Sequence, residues 1–99
     1  MRFNKKYAFA VQFAHTSSTM GIKPYDLAKL CKWADERAGY YALWNNADCK
    51  HAERYQRWEK GAMDQIESLA TAYGYATEWP GLYPSFIRLA DKREFTLPG

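Results

Sequence analysis

The sequence predicts an α+β fold: an antiparallel two-helix hairpin packed on a small, mainly antiparallel β-sheet made from an N-terminal strand and a C-terminal hairpin. Three observations carry this. Residues 7–14 alternate between aromatic or β-branched and small or polar side chains. Two long segments repeat apolar residues at helical spacing on either side of Asn45-Asn46-Ala47-Asp48. After Gly74 the chain changes to short β-prone runs punctuated by Pro80-Gly81 and Pro84. With 99 residues, positions 1–99 are read as a single domain.

Each element has a local cause. In the first segment Tyr7, Phe9, Val11 and Phe13 fall on one side and Ala8, Ala10, Gln12 and Ala14 on the other, which suits a half-buried strand; the alanines leave a helix as the alternative. The polar stretch His15–Gly21 is a loop. A helix begins at Pro24, where a missing N–H costs nothing, and Asp26 faces the positive end of its dipole. Leu27, Leu30, Cys31, Ala34, Ala38 and Tyr41 form its core face, flanked by Trp33, Tyr40 and Trp44. Gly39 interrupts this helix without an evident reason. Asn45, Asn46 and Asp48 stop it and are expected to cap the next. The second helix is expected from about Cys49 to Tyr73, with a face of Tyr55, Trp58, Ala62, Ile66, Leu69 and Tyr73, widened by Ala52, Met63 and Ala70. Gly74 is its left-handed stop, and the short linker makes the pair an antiparallel hairpin. Ala76–Trp79 is extended, Pro80-Gly81 suits a type II turn, and Leu82–Leu89 reads as a strand that Pro84 restricts to an edge or to a start after 84. Phe95, Thr96 and Leu97 supply a last short strand.

Composition sets bounds on function. Hydrophobic residues are 47% and charged residues 25%, which excludes a disordered chain, a disulfide scaffold and a multi-domain enzyme. No apolar run is long enough to span a bilayer, and Gln12 spoils the signal-peptide likeness of the N-terminus, so the chain reads as cytoplasmic with no membrane partner. Cys31 and Cys49 read as reduced thiols; the hairpin sets them roughly 18 Å apart along the helix axes, beyond the reach of a disulfide. Cys49 and His51, two positions apart on a helix, point about 200° apart, so a two-Cys, two-His metal site is not expected and no cofactor is implied. The best enzymatic feature is Cys49 at a helix start near Lys50 and His51, and it is weak beside its lack of a positioned base.

Two features remain as binding signals. Four Trp, eight Tyr and five Phe are many rings for so small a core. Basic residues also cluster. Arg2, Lys5, Lys6 and Lys23 precede every acid, and Lys50, Arg54 and Arg57 share one face of the second helix. Glu53–Arg57 and Lys60–Asp64 are spaced to form ion pairs that would partly neutralise that face. Trp, Tyr and Arg dominate protein interfaces, so Trp44, Arg54, Arg57, Trp79 and Tyr83 are the expected partner contacts. The alternative is a nucleic-acid-binding module using Lys5, Lys6, Lys50, Arg54 and Arg57.

Asn45-Asn46-Ala47-Asp48, the helix end at Tyr73-Gly74-Tyr75, and Trp79-Pro80-Gly81-Leu82-Tyr83-Pro84 together resemble short accessory proteins of phages and prophages. The resemblance spans residues 34–88 and brings no functional residues. It implies a context in which small non-enzymatic proteins block host machinery, anti-CRISPR proteins being one such class. The function expected is therefore a binding protein without catalysis, an inhibitor or accessory factor. Its partner would be a host protein or nucleoprotein complex, with nucleic acid or a second copy of the chain as further possible partners.

Overall fold

A computed structural model describes residues 21–46 and 48–97. The expected strand over 7–14, the loop before Gly21, and Arg2, Lys5 and Lys6 lie outside the described residues. Within them the chain forms helix α1 (Pro24–Trp44), helix α2 (Ala52–Ala72), and strands β1 (Tyr75–Glu78), β2 (Ser85–Arg88) and β3 (Glu94–Thr96). The fold is α+β, two helices with a three-stranded antiparallel sheet in the order β1-β2-β3.

Helix α1 starts as the sequence dictates. Lys23 is extended, Pro24 takes the first helical position, and the Leu27 N–H donates to Lys23 O at 2.9 Å. Leu27, Ala28, Leu30, Cys31 and Ala34 are buried along it, while Ala38 and Tyr41 are half-buried. The helices run antiparallel. Asp26 in the first turn of α1 accepts a hydrogen bond from the Tyr73 hydroxyl at the end of α2, and Trp44 at the end of α1 reaches Glu59 on α2. The Tyr73 hydroxyl titrates above its ordinary range, chiefly because that hydrogen bond to the Asp26 carboxylate needs its proton.

The linker corrects one expectation. Helix α2 begins at Ala52, three residues later than Cys49, and its N-cap His51 makes no side-chain cap. Asn46 uses its side chain elsewhere: its Oδ1 accepts the Asp48 N–H at 3.0 Å, and its carbonyl accepts the Cys49 N–H at 2.9 Å. These bonds close a local turn that competes with helix capping. Cys49 is left outside the first turn of α2, away from the helix position that favours a reactive thiol. At the other end Gly74 adopts φ +83° and its N–H donates to Thr71 O at 3.0 Å, the expected left-handed stop.

The core joins both layers. Leu27, Leu30 and Cys31 of α1 meet Ile66 and Ala70 of α2, and Tyr75 and Phe86 of the sheet close over them. In the sheet, Thr77, Phe86 and Phe95 are cross-strand neighbours, and Phe95 packs on Phe86 at 5.1 Å and edge-on to Tyr75 at 5.3 Å. Pro84 is buried immediately before β2, so its missing N–H removes no ladder bond. The type II turn expected at Pro80-Gly81 does not form, because Gly81 lacks the positive φ such a turn requires. The stretch between Glu78 and Ser85 is too long for a tight turn and is held by side chains instead. Arg37 Nη1 donates to Gly81 O at 3.0 Å, Trp79 Nε1 to Glu67 at 2.9 Å, and the Tyr83 hydroxyl to Asp35 at 3.0 Å.

Between β2 and β3, Asp91 accepts Arg88 Nε at 3.0 Å and Arg88 Nη2 at 2.5 Å, and the Arg93 N–H at 3.2 Å. The Arg88 bonds above all hold its carboxyl down to about 2. A depressed folded-state value contributes stability above the unfolded pKa that is lost as pH falls toward 2. Asp91→Asn should therefore flatten the decline in stability between the ordinary aspartate range and pH 2, measured by thermal melts across acid pH. The glycines give a paired test. A Cβ on Gly39 would meet nothing within 4 Å, so Gly39→Ala should raise stability by about 0.5–1 kcal/mol. Gly74→Ala should lower it by about 1 kcal/mol, because an L side chain resists positive φ. Urea titration of both variants reads the opposite signs.

Candidate functional site

The surface is arranged around a carboxylate that sits inside. Glu59 is 8% exposed and heads the buried stripe Glu59, Ala62, Ile66 and Ala70 on α2. Its Oε1 accepts the Trp44 indole N–H at 2.8 Å, and its Oε2 lies 2.9 Å from Arg37 Nε. The Arg37 Nε–H is not aligned as a hydrogen bond, so that contact is chiefly charge pairing. The two side chains are 12% and 11% exposed. The Arg37 guanidinium also lies over the Trp79 ring at 5.1 Å and the Tyr41 ring at 5.9 Å.

This arrangement corrects the expected core face of α2. Trp58, placed in the core by its spacing, is 48% exposed. Burial falls on the next residue, Glu59, because Arg37 and Trp44 supply the cation and the donor that make a buried carboxylate tolerable. A helix turns about 100° per residue, so Glu59 facing inward carries Trp58 outward. The available signal was Glu59 sitting three positions before Ala62 and seven before Ile66, with Arg37 and Trp44 seven apart on the facing helix.

Of the expected contact residues, Trp44, Trp79 and Tyr83 are half-buried, with polar atoms bonded to Glu59, Glu67 and Asp35. They dock elements of the fold on one another. Arg54, Arg57 and Lys50 are exposed. Lys60 and Asp64 pair at 3.3 Å, but among the described residues no ion pair joins Glu53 to Arg57, so the face keeps its positive charge. Lys5 and Lys6 lie outside the described residues.

Two adjoining hollows result. One, of about 360 Å³, lies between the helices and is lined by Trp33 and Tyr40 of α1 and by Arg57, Trp58 and Gln65 of α2. Gly61 and Ala62 line it as well and add little bulk beside the large rings. Trp58 meets Tyr40 at 5.6 Å and Tyr55 at 5.7 Å, with ring planes inclined at 57° and 68°. The second hollow, of about 410 Å³, is lined by Cys49, Lys50, His51, Glu53, Arg54 and Arg57. Arg57 borders both, and the Arg54 guanidinium lies 5.9 Å from the Trp58 ring centre. Rings and cations dominate the two linings, with Cys49 and His51 beside the cations of the second. Among the described residues no three His, Cys, Asp or Glu side chains converge on a metal position, and no helix is long and apolar enough to cross a membrane. No family model, curated protein or solved structure matches the chain.

The buried pair predicts a large stability effect. Glu59→Ala should cost about 3 kcal/mol, because it leaves Arg37 and the Trp44 N–H without their acceptor in a low-dielectric setting. Combining Arg37→Met with Glu59→Leu should recover only part of that loss: the unpaired charge is gone, but the Trp44 N–H and Gly81 O still lack their partners. Denaturant titration of the two single variants and the double variant checks it, and a loss below about 1 kcal/mol for Glu59→Ala would place the pair with ordinary surface bridges.

Proposed function

We propose that this chain is a non-enzymatic binding protein, an inhibitor or accessory factor of the phage and mobile-element kind, that docks on a host protein or nucleoprotein complex. The supporting observation is the surface around Trp58. A large indole half out in water, ringed by Tyr40 and Tyr55 and bordered by Arg54 and Arg57, has the composition of an interface hot spot. Neither arginine forms an ion pair among the described residues, so both are available to a partner. Trp44, Trp79 and Tyr83 contribute by holding the hairpin and the 79–83 loop in place. The resemblance to phage accessory proteins adds the biological setting.

A second reading has its own observation. Lys50, Arg54 and Arg57 line one hollow beside an aromatic one, a pairing that nucleic-acid-binding modules use. Salt separates the readings: phosphate contacts weaken steeply as ionic strength rises, and an aromatic-anchored protein interface does not.

The test is capture from nuclease-treated lysate of the source organism by tagged chain. Trp58→Ala should keep the fold, since the ring is half-exposed, and weaken the captured complex by roughly tenfold or more. Tyr25→Ala, at a site 60% exposed on the first turn of α1, should leave capture unchanged. Equal capture by the Trp58 variant would remove this surface from the function.

A further inference from the structure

We infer that the occupant of the two hollows is an acidic protein segment that puts one apolar side chain between Trp33, Tyr40 and Trp58 and sets its carboxylates on Arg57, Arg54 and Lys50. The inference rests on the binding reading above and names the chemistry of the partner.

Three observations select this occupant over nucleic acid. First, Arg2, Lys5 and Lys6 account for the whole formal net charge of +3, so the described body is electrically balanced and its positive field is local. Three cations match a few carboxylates better than a long polyanion, whose affinity comes from many phosphate contacts. Second, the Tyr40 and Tyr55 rings are each steeply inclined to the Trp58 ring, and the Arg54 guanidinium lies 5.9 Å from the indole centre. Successive bases need open faces to stack on, whereas inclined ring edges form a socket for a single side chain. Third, Arg57 lines both hollows, so the charged and apolar contacts of one short segment would be made side by side. Glu59 is turned inward to Arg37 and Asp64 is paired with Lys60, which leaves Glu53 against three cations in the second hollow and Glu36 against Arg57 in the first. Glu36 and Glu53 are the lining carboxylates that a partner's acids must avoid.

The probe is a fluorescein-labelled peptide with a central Leu-Phe flanked by Asp and Glu, compared with one carrying Lys for every acid, one carrying Ser-Ser for Leu-Phe, and a short labelled oligothymidylate. Fluorescence anisotropy should show the acidic apolar peptide binding at least roughly tenfold tighter than each of the other three. Arg57→Glu and Trp58→Ala should each remove most of that binding, and Tyr25→Ala none. Tighter binding of the oligothymidylate, or peptide binding indifferent to Arg57→Glu, overturns the inference. So does concentration-dependent self-association abolished by Trp58→Ala, which would make a second copy the occupant. The two levels fail separately. Capture that depends on Trp58 with no acidic-peptide binding defeats the inference and leaves the binding reading standing. Capture that ignores Trp58→Ala defeats that reading and, with it, the inference.

Discussion

The burial of Glu59 is the constraint from which the rest of this surface follows. An ionised carboxylate leaves water only if its charge and lone pairs are met, and here Arg37 supplies the charge and Trp44 a hydrogen-bond donor. Both partners are on α1, so the requirement fixes how α2 is rotated against α1. The stripe Glu59, Ala62, Ile66 and Ala70 then faces in, and Trp58 and Arg57 face out toward the groove. A hydrophobic pair at 37 and 59 could stabilise the hairpin as well, but it would impose a less specific rotation.

Arg37 extends this constraint to the sheet. Its Nη1 holds Gly81 O and its guanidinium covers Trp79, while Trp79 and Tyr83 bond to Glu67 on α2 and Asp35 on α1. The 79–83 loop is therefore moored to both helices by long side chains, which a core this small needs because it offers few apolar contacts at its margin. At the opposite end Asp26 and Tyr73 join the helices where Gly74 sends the chain into β1. Among the described residues the rings outside the Tyr75, Phe86 and Phe95 core cluster play further parts. Trp44, Tyr73, Trp79 and Tyr83 act as amphipathic fasteners with bonded polar ends, and Trp58 stands half outside.

The contrast between those groups explains what the sequence made legible. Periodicity and punctuation located both helices, Gly74, Pro84 and the short strands, because these depend on local backbone preference and apolar spacing. The start of α2 was misplaced because Asn46 bonds to its own turn, a choice between two local options that composition leaves open. The turn at Pro80-Gly81 was misread because tertiary bonds from Arg37 set that backbone. The largest error concerned Trp58 and Glu59. Spacing arguments rank residues by hydrophobicity, and a tryptophan outranks a glutamate until the glutamate's cation and donor are found on another helix. The same limit hid that Trp44, Trp79 and Tyr83, all half-buried, bond through their N–H and O–H groups to Glu59, Glu67 and Asp35. Arg54, Arg57 and Lys50 were legible as a face because three residues at helical spacing need no tertiary information.

The fold and the proposed binding surface are consequently one problem in this chain. Glu59 and Trp58 are adjacent, so the network that holds the first inside positions the second outside, and the socket between Trp33, Tyr40 and Trp58 inherits its shape from a buried ion pair that touches no ligand. The small residues Gly61 and Ala62 line the groove beside the rings. The placement of Arg57 on the rim follows from the same rotation, one residue before Trp58 and two before Glu59. Aromatic anchor and charge are thereby set by a single interior contact, and the chain needs no separate device to hold them in register.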